Sequence, residues 1–479
     1  MAVLDQLTPR GVFRFFEELC AMPHGSGNTK EISDYLVRFA AARGLEHYQD
    51  AVNNVVIIKP AAPGYENAPA VILQGHMDMV CEKAPDCAKD MAKEGLDLAV
   101  EGDTVLAKGT TLGGDDGIAV AMMLALLDDD SLPHPRLECV VTVDEETGMD
   151  GAQALDVSPL RGRTMINLDS ESEGIFTVSC AGGNRTRCAL PLRREPFAGT
   201  ALCITVDGLL GGHSGEMIRT GRGNSSMLLG RVLWALGEAE SWRLVSVEGG
   251  FMDNAIPVKS QAVVVCADAA AVEGVCERMA DALQKEYAVI DPDLRVTAAP
   301  CETAALPMDA DSTRRVVCLL SCAPNGVQAM SADMEGLVET SLNLGTLRTD
   351  GDTVAAVFCV RSSVESRKAM VTERLRCLTA ALGGTVSVSG DYPGWAYRRT
   401  SPLRDLMSAV FTEQYGYAPK IEAIHAGLEC GLFSAKLPGL DCVSLGPDME
   451  NIHTFRERLH IASTERLWTL VVEVLRRMK

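Results

Sequence analysis

The sequence lacks positive charge: 44 lysines and arginines stand against 65 aspartates and glutamates, a formal net charge of −21. A surface of that sign repels phosphate backbones and anionic lipid, which argues against a nucleic-acid partner, an anionic membrane surface and a polyanionic substrate. It also lacks a bilayer-spanning apolar run. The longest, Gly117 to Leu127 (GIAVAMMLALL), falls well short of the ~20 residues a spanning helix needs and reads as a buried helix. The first residues, MAVLDQLTPRGVFRFFEELC, mix acids with apolar positions and do not read as a secretory signal. No CxxC pair occurs among the 16 cysteines. Their apolar contexts, such as ECVVTV and AVVVCA, fit small buried hydrophobes kept reduced in a cytoplasmic protein rather than a disulfide framework. Low-complexity tracts and internal repeats are absent too. What is present is a globular composition, 47% hydrophobic and 23% charged, over 479 residues, more than one ordinary core holds.

Apolar periodicity over Val12 to Cys20, a break at MPHGSGN and a second periodic stretch over Glu31 to Arg43 predict a helix pair, with Asn28 or Thr29 able to cap the second helix and Gly44 to end it. Short β-like runs follow: VVIIK, AVILQG (70–75), LECVVTV (137–143), TMINL (164–168) and, much later, DCVSL (441–445). The helix at 117–127 separates the second from the third. Apolar strands alternating with helices predict an α/β domain with a mixed, largely parallel sheet covered on both faces. Between about 200 and 400 the style changes. Alternating runs (ALCITVDGL, KSQAVVVCAD, TSLNLGTLRT, DTVAAVFCVRSS) sit among helical stretches near Ser226 to Ala239, Ala270 to Tyr287 and Glu365 to Leu382, the pattern of an α+β insert with a mostly antiparallel sheet. DCVSL returns to the first style, so the chain is expected to form a discontinuous domain, 1–185 plus 397–479, around an insert at 186–396.

In open α/β sheets, ligands gather beyond the carboxyl ends of parallel strands. There AVILQG is followed by His76-Met77-Asp78, LECVVTV by Asp144-Glu145-Glu146, TMINL by Asp169, and DCVSL, after GPDMENI, by His453. The loop TTLGGDDG sets Asp115 and Asp116 at the start of the apolar helix. Singly, each residue has a plainer reading. Asp115 is a helix cap, His76 a hydrogen-bonded structural histidine, Arg361 a surface ion-pair residue and His213 a loop residue. His460 competes with His453, Asp144 belongs to its strand end, and His24, His47 and His134 are structural or exposed. Together the acids and imidazoles resist such readings, because clustered carboxylates repel unless a cation sits among them. Imidazole and carboxylate suit zinc, cobalt or manganese. Two ions bridged by one carboxylate, with an unligated carboxylate to take a proton from water, is a hydrolytic arrangement. The glycine-rich loop lacks a P-loop lysine and ends in two acids, which excludes phosphate.

Nearly end to end, the strings QGHMDMV, GTTLGGDDGIAVA, DEETGMDGA, INLDSE, CAGG, GGHSGEMI, DNAIP, PNGV, VETSLNLG, YPGW, HAGLECGLF and SLGP, in this order, resemble the M20 metallopeptidases, most closely their aminoacyl-histidine (Xaa-His, carnosinase-like) dipeptidases. The resemblance implies a zinc-peptidase-like catalytic domain interrupted by a lid and dimerisation domain, and two divalent ions, zinc first. His76 and Asp169 would hold one ion, Glu146 and His453 the other, and Asp115 would bridge them, followed by a cis peptide. Glu145 would be the general base acting on a water between the ions, and Asp78 would orient His76 through its second ring nitrogen. His213, from a partner subunit of a homodimer, would stabilise the oxyanion. Asn254 and Arg361 would contact a small peptide, Arg361 clasping its carboxylate. His425 and Glu429 would lie near the substrate without assigned roles. Two departures stand out. Relatives usually read HSPDE or HTPDE where this chain has His453-Thr454-Phe455-Arg456-Glu457, and the segment after HMDMV lacks their HDF string. An N-acyl amino acid deacylase or a tripeptidase on the same scaffold stays open, as does a non-catalytic metal- or peptide-binding dimer.

Overall fold

A computed structural model of the chain describes residues 3–237 and 241–479. The chain divides into two compact units: Met1–Ser179 with Tyr397–Ala423 and Leu428–Lys479, and Cys180–Ala396 with Ile424–Gly427.

In the first unit the apolar runs form Val55–Lys59, Val71–His76, Leu137–Thr142, Thr164–Asn167 and Asp441–Ser444. Every residue of Val55–Lys59, Val71–His76 and Leu137–Thr142 is buried, which is why these strands read as continuous apolar runs rather than alternating ones. Leu137–Thr142, Val71–His76, Thr164–Asn167 and Asp441–Ser444 lie side by side and parallel at the centre of an eight-stranded mixed sheet. Val55–Lys59 joins antiparallel beside Leu137–Thr142, and Glu46–Gln49 beside it. Being parallel, the four central strands end on one edge: His76 pairs with Thr142, Gln74 with Asn167, and Ser444 with Asn167. The ionisable residues that follow those ends are thereby gathered on one side.

The helix Gly114–Asp128 is regular only beyond Asp116; Asp115 and Asp116 have non-helical backbone angles, so its regular part is the predicted apolar stretch. It is buried from Gly114 to Leu127 and packs on helix Arg10–Cys20 and strand Val71–His76. Its carboxyl end is closed by Lys59, itself 6% exposed, whose Nζ donates to the carbonyls of Leu126, Leu127 and Asp129 at 3.2, 3.2 and 3.0 Å. Lys59→Met leaves these carbonyls without their donor. It is expected to cost about 1–3 kcal/mol, read as a lower urea midpoint at an unchanged slope. An unchanged midpoint would show the cap to be energetically silent.

The second unit holds a nine-stranded sheet, antiparallel at every pairing. Inward residues such as Leu202, Ile204, Val206, Leu342, Leu344 and Phe358 build its core against the helices. Three predicted helices are Ser225–Ala235, Ala269–Tyr287 and Glu365–Ala381, while Ala310–Cys322 was not foreseen. Positions 238–239 of the predicted stretch ending at Ala239 lie outside the described residues. Asn224, Asp268 and Asp309 cap three of these helices through their side chains. The division differs from the expected boundary at 185. Strand Gly182–Pro191 is paired on both sides inside the second sheet, and Ala181 donates its N–H to Ala426, drawing residues 424–427 into that unit. Among the described residues no helix is long and apolar enough to cross a membrane.

Candidate active site

Beyond the strand ends of the first unit, Asp115 stands between two imidazoles. Its Oδ1 lies 3.1 Å from His76 Nε2 and its Oδ2 3.1 Å from His453 Nε2. Asp169 Oδ1 lies 3.7 Å from His76 Nε2, and Glu146 Oε1 lies 3.0 Å from His453 Nε2. The Asp115–Asp116 peptide is cis, and Gly113, in the left-handed region at φ 69°, turns the loop before it. Asp115 makes no side-chain cap on its helix; both its oxygens face the imidazoles, which overturns the capping reading.

Asp78 is buried and links three segments. Its Oδ1 accepts the Glu145 N–H at 3.2 Å and its Oδ2 accepts the Ser26 hydroxyl at 2.8 Å. His76 Nδ1 lies 3.0 Å from the Asp78 carbonyl oxygen and 3.5 Å from its carboxylate, so the backbone oxygen is the nearer partner. The expected orienting of His76 by Asp78 thus falls mainly to the main chain. The Glu145 carboxylate makes no hydrogen bond or ion pair among the described residues. Asp144 turns away at φ 56° and accepts the Gly27 N–H. His460 pairs with Glu450, while His24, His47 and His134 bond to nearby carbonyls, which leaves them structural.

The electrostatics test whether cations fit. With Nδ1 against a carbonyl, which only accepts, Nε2 of a neutral His76 carries its lone pair, yet it faces the oxygens of Asp115 and Asp169. Lone pairs meet there unless a positive centre lies between them. Burial, then the charge of Asp169, raises the carboxyl of Glu145. Burial likewise raises Glu146 and Asp169. Burial opposes ionisation of Asp115 as well, but its bonds to His453 and His76 prevail and hold it low. His453 is raised to about 10 by its bonds to Asp115 and Glu146. On protein charges alone, then, the cluster is stable only with borrowed protons. Divalent cations remove that need, and the imidazole-carboxylate donor set suits zinc, cobalt or manganese. His76, Asp115 and Asp169 could hold one ion, and Asp115, Glu146 and His453 a second.

Two neighbours that sequence reasoning named without a role also stand at this cluster. Asp116, fully buried, has a ligand atom within 4.8 Å of those of His76 and Asp169, and its Oδ2 accepts the His76 N–H at 3.2 Å. Glu429 is fully buried and accepts from Gln74 and, at 2.6 Å, from Thr142; Gln74 in turn accepts from Asn167 at 2.6 Å. Gln74, Thr142 and Asn167 lie on three strands that lead into the site. A Gln, a Thr and an Asn inside otherwise apolar strands were the signal available beforehand.

The second unit gathers its own polar cluster. Arg361, 7% exposed, has Nη2 3.4 Å from His213 Nε2 and donates from Nη1 to Tyr392 Oη at 3.3 Å, while its buried Nε has no hydrogen-bond partner among the described residues. His425 Nε2 and Ser341 Oγ are 2.7 Å apart. Burial, then the Arg361 charge, lowers both imidazoles, His425 to about 3. His213 pairs with Ala255 in a short ribbon, and the Asn254 carbonyl accepts the Ser214 N–H, so Asn254 sits beside His213. Tyr392 and Ser341 lie in the strings YPGW and VETSLNLG, but neither was singled out as a site residue.

Parallel strand ends that bring two imidazoles to one carboxylate make a site suited to cation-dependent hydrolysis. The chain belongs to peptidase family M20/M25/M40, whose family model matches residues 72–477. It is similar to the cytosol non-specific dipeptidase of Escherichia coli (strain K12), at 37% identity over 480 residues and 99% of both chains. Among solved structures it is similar to the aminoacylhistidine dipeptidase from Vibrio alginolyticus, with a TM-score of 0.93, 35% identity and coverage of 98% of this chain and 97% of that one. The aminopeptidase PepT from Bacillus cereus ATCC 10987 shares the fold at 16% identity and a TM-score of 0.56, covering 98% of this chain and 99% of that one.

Proposed function

We propose that the chain is a cytoplasmic metallo-dipeptidase that hydrolyses Xaa-His or related dipeptides with two divalent cations, zinc first, held by His76, Asp115, Glu146, Asp169 and His453. The observation that carries this reading is Asp115, each of whose oxygens faces one imidazole at 3.1 Å. When bound, such a pair polarises the scissile carbonyl and acidifies a water. Glu145 takes the proton of the attacking water and returns it to the leaving amine. Asp78 holds the Glu145 backbone in place. Arg361, whose buried Nε has no hydrogen-bond partner among the described residues, clasps the free carboxylate of the peptide, and Asn254, beside His213, contacts the substrate too. The chain acts as a homodimer through the inserted domain, and His213 enters the site of a second subunit to stabilise charge developing on the carbonyl oxygen.

The decisive experiment offers the chelator-treated protein Xaa-His dipeptides, β-Ala-His, Gly-Gly and N-acetyl amino acids, with zinc, cobalt or manganese restored. Cleavage of free dipeptides but not of N-acetylated forms is expected. Preference for the acylated substrates would establish a deacylase, and binding without cleavage would overturn the enzyme reading. Arg361→Met is expected to lower kcat/KM roughly 10- to 150-fold, the loss of a hydrogen bond to a charged group. Equal turnover of a C-terminally amidated dipeptide by the wild-type protein would remove that role. Mixing the inactive His213→Ala and Glu145→Ala proteins should restore activity; continued silence after subunit exchange would rule out contribution across subunits.

A further inference from the structure

We propose that Glu457 is a positioning residue that sets Asp115 against His453. It is 3% exposed, a costly place for a carboxylate without partners. Its partners are three consecutive backbone N–H groups: Leu112 at 2.7 Å and Gly113 at 3.1 Å donate to Oε2, and Gly114 at 2.8 Å donates to Oε1. Left-handed Gly113 makes these N–H groups converge into an anion-holding concavity. The next residue is Asp115. The space at Gly114 is tight: a Cβ there would lie 3.1 Å from Met449 Sδ and 3.2 Å from Glu457 Oε1.

The same carboxylate is anchored in the segment that carries His453. The Glu457 N–H donates to the Thr454 carbonyl at 3.1 Å, and the Thr454 hydroxyl to the Asn451 carbonyl at 2.7 Å. His453 sits in this turn at φ 61°. Phe455 and Arg456, the residues that depart from the usual motif, stack on each other at 5.4 Å, and Glu457 remains buried in the concavity. Asp115 and His453 are 338 residues apart in sequence and meet at 3.1 Å. Glu457 ties the backbone of one to the backbone of the other. An apolar side chain of similar volume would fill the space but leave these three N–H groups without an acceptor. Three bonds converging one residue before Asp115 instead fix where its carboxylate stands.

The inference rests on the two-cation reading and is tested on the full chain with Glu457→Gln. Glutamine keeps the volume but turns an NH₂ toward backbone N–H donors, so at least one of the three bonds is lost. Cation-free protein is titrated with zinc by calorimetry, the cobalt-loaded form is followed by visible absorption, and kcat and KM are measured separately at saturating cation. The expected result is a protein as folded as wild type by circular dichroism, with cation binding weakened by roughly 10- to 100-fold, as for other residues that orient ligands. The cobalt spectrum should shift, and kcat should fall at nearly constant KM. Wild-type titration, spectrum and kcat in the variant overturn the inference alone. A wild-type protein that takes up no cation overturns the hydrolase reading and the inference with it. If the glutamine variant does not fold, Glu457→Asp keeps the charge but draws the loop by one methylene. A shifted cobalt spectrum there supports the positioning role, and an unshifted one overturns it.

Discussion

Glu145→Ala is expected to lose roughly 10²- to 10⁴-fold in kcat, the usual contribution of a general base, while keeping its cations. The expectation rests on a difference between neighbours in sequence. Glu146 lies 3.0 Å from His453, whereas the Glu145 carboxylate makes no hydrogen bond or ion pair among the described residues, and its backbone N–H is pinned by Asp78. On the proposed reading, the first would hold an ion and the second would move a proton. Burial, followed by the charge of Asp169, makes Glu145 hold a proton more tightly than an exposed glutamate, which suits an acceptor. The loss corresponds to about 2.7–5.5 kcal/mol on the barrier. Turnover of a dipeptide and metal content of the same preparation are the two measurements. If alanine at this position releases cations, Glu145 is a ligand and the roles of the pair must be exchanged.

The second large effect is expected at Asp115. Asp115→Ala removes the group that faces both imidazoles, so both cations should bind much more weakly and activity should fall below detection. Stability gives an independent readout. A ligand that binds only the folded state at 100 times its dissociation constant adds about 2.7 kcal/mol. Cation-free wild-type protein should therefore unfold at a higher temperature when zinc is restored, and Asp115→Ala should not. A variant that keeps the full zinc-dependent rise would deny Asp115 any part in holding cations, leaving His76 with Asp169 and Asp116 as a group close enough to do so among the described residues.

Much of the architecture was legible because buried parallel strands and apolar helices leave strong periodic signals. The five runs from VVIIK to DCVSL all became strands within a residue or two of their expected ends. Ala310–Cys322 was missed since its apolar residues are interrupted by Arg314 and Arg315 in a stretch otherwise read as part of an alternating sheet. The expected boundary at 185 came from a change of composition, whereas strand pairing, which composition does not encode, places Gly182–Pro191 wholly in the second sheet.

The chemistry divides similarly. Sequence alone determined which residue types follow the strand ends, because the order of strands and acids is local and the motifs are contiguous. Strand ends alone left Asp115 a helix cap and His460 a rival of His453, and only the resemblance chose between them; the contacts themselves, Asp115 with two imidazoles, Glu429 with Gln74 and Thr142, and Glu457 with the loop before Asp115, belong to the tertiary structure. The reason is physical. Hydrogen bonds and charge contacts act over a few ångströms of space, and here they join residues hundreds of positions apart, a separation that no local pattern of hydrophobicity or turn chemistry records.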